Sequence, residues 1–172
     1  IFMKLYPNIS LFFIIWFLSV LSISFIGFIT IPHSKLFSND FFNSFANWDG
    51  GHFTGIAKFG YSEKFQYAFF PLYPLLIRLI SQITHNYLIS AILINILSTY
   101  LGMQVLYKLI LSEFDKRIAQ KTILFILFFP TSFYFIAAYS EGLFFLLTVC
   151  AFYFLRRKKL FLAVLFAGLS GA

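Results

Sequence analysis

The sequence predicts an all-α fold embedded in a membrane, on three observations. Hydrophobic residues make up 60% of the chain and charged residues only 11%, with a mean hydropathy of +0.87. Soluble domains are nearer 45–50% apolar and about 25% charged. Several apolar stretches run long enough to cross a bilayer as helices, and the basic residues sit at their ends. The formal charge of +7 therefore reads as membrane topology, because positive-inside orientation and anionic headgroups place Lys and Arg there. A basic strip with interleaved aromatics on one solvated face is missing, which argues against nucleic acid as a partner.

The elements follow in order. Ile9 to Ile31 carries no charge and reaches roughly 34 Å at about 1.5 Å per residue, enough for a hydrocarbon core of about 30 Å. Pro7 and Asn8 suit its start and Pro32 its stop. It is too long for a cleaved signal peptide and lacks a convincing small-residue cleavage site, so it reads as an anchor. Residues 32–86 form the first outer loop. Within it Phe45, Trp48, His52, Ile56 and Phe59 fall at helical spacing and predict an in-plane helix whose aromatics sit at headgroup depth. Ala68 to Ser81 is apolar but short and holds Pro71 and Pro74, which predicts a re-entrant or interfacial segment.

Further spans are expected at 87–107, 122–138 and 142–155, with an incomplete one at 160–172. That makes about five in a single transmembrane domain covering 1–172. Pro130 is expected to kink the third, and a tight turn at Tyr139-Ser140-Glu141-Gly142 to join it to the fourth. Because the chain opens at Ile1 and stops at Ala172 inside an apolar run, it is expected to be the N-terminal part of a longer polytopic protein. Cys150, the one cysteine, lies in an apolar run and reads as a small buried hydrophobe.

Charge parity tests this layout. Lys4, the cluster at 108–121 and the cluster at 156–159 all belong on the cytoplasmic side under the positive-inside rule. Even crossing numbers between them require that 68–81 does not cross and that Glu141 sits at a turn. The loop bearing Asp49 and the turn bearing Glu141 then share the opposite face.

The chemistry-bearing residues concentrate between Asn47 and Arg78. Asp49 follows Trp48 and precedes Gly50-Gly51, where backbone can approach a ligand. A carboxylate at an outer face can take the proton from an attacking hydroxyl; the other reading of Asp49 is a cap on the in-plane helix. His52, three residues on, is a partner for that carboxylate, a phosphate ligand or an interfacial residue. Lys58, Lys64 and Arg78 are candidates to stabilise a departing phosphate, and Arg78 equally fits a snorkelling role. Asp49, His52 and Glu63 form only a weak metal pattern, so no metal or other cofactor is assigned and Glu63 doubles as a solvated loop charge. Glu141 interrupts a long apolar run, and such an acid marks either a site or a turn. His33 and His85, at span edges, read as interfacial.

These residues resemble a known family. Trp48-Asp49-Gly50-Gly51-His52-Phe53, with Ile56-Ala57, Gly60-Tyr61 and Ala68-Phe69-Phe70-Pro71-Leu72-Tyr73-Pro74-Leu75, is similar to the PIG-V mannosyltransferases. Pro130-Thr131-Ser132 with Tyr139-Ser140-Glu141, and Ala167 to Ala172, resemble its later patches. The resemblance implies a polytopic GT-C glycosyltransferase of inverting type, a prokaryotic-type relative of the GPI mannosyltransferase 2 enzymes. It implies a polyprenyl- or dolichyl-phosphate sugar donor, a lipid-linked or glycan acceptor, and action at the extracytoplasmic or lumenal face. The membrane is the plasma membrane in a prokaryote and the ER in a eukaryote. Asp49 is the implied base and Glu141 a second catalytic residue; Trp48, His52, Lys58, Glu63, Tyr73 and Arg78 are the candidate substrate-binding residues around them. The alternatives are a lipid-linked sugar transporter or flippase, and a structural membrane subunit.

Overall fold

The protein is described by a computed structural model covering residues 6–31 and 40–172. Lys4, Pro32 and His33, which entered the topology and loop readings, lie outside these residues. The described chain is all-α, as expected. Seven helices occur in order: α1 (Pro7–Thr30), α2 (Asp49–Phe59), α3 (Leu72–Thr84), α4 (Tyr87–Leu111), α5 (Lys116–Leu127), α6 (Glu141–Arg156) and α7 (Leu160–Ser170). Short 3-10 turns lie at Asn43–Ala46, Lys64–Ala68 and Ser132–Phe135.

Two of these helices, α1 and α4, are long and apolar enough to cross a membrane. The helices at the other expected spans are shorter. At about 1.5 Å per residue, the 16 residues of α6 reach roughly 24 Å and the 12 of α5 roughly 18 Å.

The helix expected over 122–138 is corrected: α5 spans 116–127. Asp115 caps its start, its side chain accepting from Ile118 N at 2.8 Å, a signal that hydropathy alone does not mark. Pro130 ends the helix instead of kinking it. A proline cannot donate to the helical ladder, and it disfavours helical backbone at the preceding Phe129. The link to α6 is consequently an irregular segment, residues 128–140, and not a tight turn.

The in-plane stripe is corrected as well. The chain over Asn43–Ala46 is a 3-10 turn, and α2 begins only at Asp49. It buries Gly50, Phe53, Ile56 and Ala57, whereas Trp48 is 68% exposed and Phe59 75% exposed. Phe45 and Trp48 therefore do not continue the face of α2.

The largest interface is between α4 and α6, which run side by side in the same direction. Asn95 meets Gly142, Val105 packs with Val149 and Cys150, the Lys108 ammonium lies over the Tyr153 ring, and Glu113 pairs with Arg156. The two basic clusters therefore lie at one end of the bundle, where Arg156 Nε donates to Glu113 Oε1 at 2.8 Å. α1 runs opposite to α4. Tyr6 N donates to Gln104 Oε1 at 2.9 Å, Ser10 Oγ lies 2.8 Å from Tyr100 Oη, and Trp16 Nε1 donates to Ser132 Oγ at 3.0 Å.

α3 lies across α4. Its early residue Tyr73 donates to Ala91 O at 2.9 Å and its last residue Thr84 lies 2.7 Å from Ser90 Oγ. Two ends of a 13-residue helix that meet adjacent residues of α4 cannot run alongside it. The buried edge of α3 is Tyr73, Ile77 and Ser81, at i, i+4 and i+8. The opposite edge, Leu75, Leu79 and Ile83, is exposed. α3 thus crosses α4 with one edge packed and the other open.

Candidate functional site

The site begins with a turn. Gly50 N donates to Asn47 O at 3.2 Å, and Trp48 within that turn has φ 51° and ψ −119°. These angles suit glycine, as at the first central position of a type II′ turn, so Trp48 holds strained backbone. The turn sets Asp49 as the first residue of α2, with Trp48 and not Asp49 in the capping position and no side-chain capping bond made there. A carboxylate in a first turn faces the positive end of the helix dipole.

A second segment docks on this turn. Ala138 N donates to Phe45 O at 2.9 Å, and Tyr139 Oη donates to Asn47 O at 2.9 Å. A Cβ added at Gly50 would lie 3.1 Å from Ala138 O, a close fit in which a larger residue would press on the docked segment. Docking carries Glu141, the first residue of α6, to the same place as Asp49.

The two acids line one cavity of about 590 Å³. Its walls come from four separate stretches: Asp49 and Phe53; Ala68 to Tyr73; Tyr139 to Leu147; and Leu169 to Ala172. A second, mostly apolar cavity of about 440 Å³ reaches Glu141 from another side, past Phe125, Phe129 and Phe135. Glu141 thus stands between two spaces.

Electrostatics couple the walls. Burial pushes the Glu141 carboxyl above its ordinary value; its own backbone hydrogen bond opposes this, and the Asp49 charge adds to it. One of its oxygens, Oε2, is buried without a hydrogen-bond partner among the described residues. Burial pushes Tyr139 up to about 12, with Asp49, Tyr134 and Glu141 adding to the shift. Tyr73 is also raised well above a normal phenol, by burial and then by Glu141, and remains a donor to Ala91 O.

The other sequence candidates lie elsewhere. His52 rests between the rings of Phe65 and Phe69, centroids 5.1 and 5.2 Å away. Arg78 Nε donates to Ala57 O at 2.7 Å, holding the C-terminal carbonyls of α2, and Lys58 lies over Phe59. Glu63 caps the 3-10 turn at Lys64–Ala68, forming a capping box with Gln66. None of these lines the Asp49–Glu141 cavity, and Trp48 does not line it either. Among the described residues no three His, Cys, Asp or Glu side chains gather as metal ligands.

Sequence reasoning missed Asn95. This residue of α4 is fully buried. Its Nδ2 donates to Tyr134 O at 2.6 Å and Ala137 O at 2.7 Å, and its Oδ1 accepts from Gly142 N at 2.6 Å. The signal was present, because Ala91, Asn95, Ser98 and Gly102 make a stripe of small and polar residues on one face of an apolar helix, a helix-packing pattern.

A family model described as mannosyltransferase (PIG-V) matches residues 16–172. The GPI mannosyltransferase 2 of Drosophila pseudoobscura pseudoobscura is 34% identical over 109 residues, a match covering 57% of this chain and 24% of that protein. The chain therefore spans about a quarter of the length of that curated relative. No solved structure matches.

Proposed function

The chain belongs to the mannosyltransferase (PIG-V) family, and from that premise we propose that it forms the catalytic floor of a multi-pass membrane glycosyltransferase. The enzyme moves mannose from a polyprenyl- or dolichyl-phosphate donor to a lipid-linked or glycan acceptor. The observation that carries this reading is the cavity shared by Asp49 and Glu141 and walled by all four motif-bearing stretches.

In the proposed step Asp49 accepts the proton of an acceptor hydroxyl, whose oxygen attacks the anomeric carbon. The bond from that carbon to the phosphate oxygen breaks, the configuration inverts, and the lipid phosphate departs with the bonding pair. A phosphate leaving group needs no general acid, so one base suffices and the reading assigns no cofactor. Glu141 faces the same space as a second polar group for the sugar or acceptor, and Tyr73 and Tyr139 brace the wall. Trp48, His52, Lys58, Glu63 and Arg78 are proposed to act around the cavity, by fixing α2 and the adjoining loop at the membrane interface. The basic end is assigned to the cytoplasm and the cavity end to the extracytoplasmic or lumenal side, in a plasma or ER membrane according to the cell.

The test is transfer by the full-length protein in native membranes supplied with radiolabelled polyprenyl-phosphate mannose. Label appearing in a new glycolipid or glycan supports the reading. Movement of the donor across the bilayer, with no transfer from any polyprenyl-phosphate sugar, would replace it with a transporter.

A further inference from the structure

Asn95 lies on a transmembrane-length helix and does not line the cavity, yet it touches the segment that builds the acidic wall at three points. Its partners fix the amide orientation: the NH2 must face the Tyr134 and Ala137 carbonyls, and the oxygen must face the Gly142 N–H. The neighbouring Thr99 Oγ1 donates to Asn95 O at 2.9 Å and lies 3.3 Å from Phe135 O, so the same face of α4 meets the segment at residues 134, 135, 137 and 142. That segment is the same one that grips the first loop through Ala138 N on Phe45 O and Tyr139 Oη on Asn47 O. A continuous chain of hydrogen bonds therefore runs from Asn95 through the connection 134–142 to the turn that presents Asp49.

From this we propose that Asn95 is a positioning residue for the reaction, a three-bond latch that sets Glu141 and, through Tyr139, Asp49 at their working separation. The inference rests on the cavity being the transfer site. An amide suits the task because it offers two donors and one acceptor in a plane, and a buried span leaves no water to replace any of them. Leucine at 95 removes all three bonds. Aspartate keeps the acceptor for Gly142 N but sets a carboxylate against two carbonyl oxygens. Protonated, it regains one donor.

The experiment uses the full-length protein carrying Asn95→Leu or Asn95→Asp, with rates normalised to the monodisperse folded fraction in detergent. The latch predicts that kcat falls by roughly ten- to a hundredfold, as expected for a misplaced reacting group, while KM for the donor stays within about twofold of wild type. It also predicts that Asn95→Asp recovers toward wild type as pH falls and that Asn95→Leu does not. Glu141 on α6, Asp49 on α2, Tyr73 on α3, and Tyr134 and Tyr139 in the connection are the ionisable groups around the segment and are common to both variants, so the difference between the variants isolates position 95. A second arm needs no transfer: Ser140→Cys should react faster with a membrane-impermeant maleimide in the Asn95→Leu background than in wild type. Folded variants with unchanged kcat, pH profile and labelling rate would overturn the latch. A wild-type protein that transfers nothing would instead overturn the functional reading, while the labelling arm still decides the latch.

Discussion

The backbone N–H of Gly142 donates to Oδ1 of Asn95 at 2.6 Å, and this bond joins the start of α6 to the buried face of α4. No side chain fits between them, because a Cβ at 142 would collide with Asn95 Oδ1, Asn95 O and Thr99 Oγ1. Gly142→Ala must therefore push α6 off α4 or break the bond. An overpacked core costs about 1–3 kcal/mol, and loss of a buried bond adds to that. The expected outcome is a clear fall in thermal unfolding temperature in detergent, together with lost transfer. An alanine variant as stable as wild type would mean that α4 and α6 are not held at this distance.

Glu141 gives a pH-dependent prediction. Its carboxyl is raised by burial and by the charge of Asp49, so the fold binds its proton more tightly than the unfolded chain does. The associated stability is fully present below the unfolded value and is lost as pH rises through the raised one. Glu141→Gln should accordingly stabilise the protein at neutral and alkaline pH and change little under acid conditions. Asp49→Asn should shrink that pH dependence, because it removes one of the two causes. Melting curves at acid and alkaline pH for the three proteins check both statements; parallel shifts at both pH values would contradict them.

Arg78 separates a structural from a catalytic role. Its guanidinium holds Ala57 O at 2.7 Å and Lys58 O at 3.4 Å, and a cation suits the C-terminus of α2. Because the side chain is exposed, Arg78→Ala should cost only about 1 kcal/mol and lower kcat less than tenfold. A larger kinetic loss at unchanged melting temperature would place the guanidinium at the donor phosphate instead.

Much of this arrangement is legible in the sequence, and the rest is hidden for identifiable reasons. The all-α class, the start of α6 near Glu141 and the placing of Asp49 and Glu141 toward one face follow from apolar run length, charge parity and motif, whereas their sharing one cavity does not. The start of α5 is hidden because a hydropathy profile reports where membrane begins, while Asp115 caps the helix several residues earlier. The stripe from Phe45 to Phe59 misleads because Trp48 takes a positive φ, and spacing counted across such a turn is no longer helical. Arg78 looks free because a sequence does not show the α2 carbonyls that it meets. Asn95 looks incidental because one amide barely disturbs an apolar run, although its three bonds set the position of the acidic wall.

Sidedness has its own test. Single cysteines at Ser44 and Ser140 should react with an impermeant reagent from the same side of sealed vesicles. A cysteine at Ser112, near the basic end, should react from the other side. Ser44 and Ser140 labelling from opposite sides would break the shared-cavity account.

The most direct measurement of the central claim is the rate of mannose transfer by the folded Asp49→Asn protein, assayed beside wild type with the same polyprenyl-phosphate mannose. Asparagine keeps the shape of Asp49 and removes its basicity. The account predicts a loss of roughly 10²–10⁴-fold in kcat, the usual worth of a positioned general base, with donor binding retained. Transfer at close to the wild-type rate would contradict it.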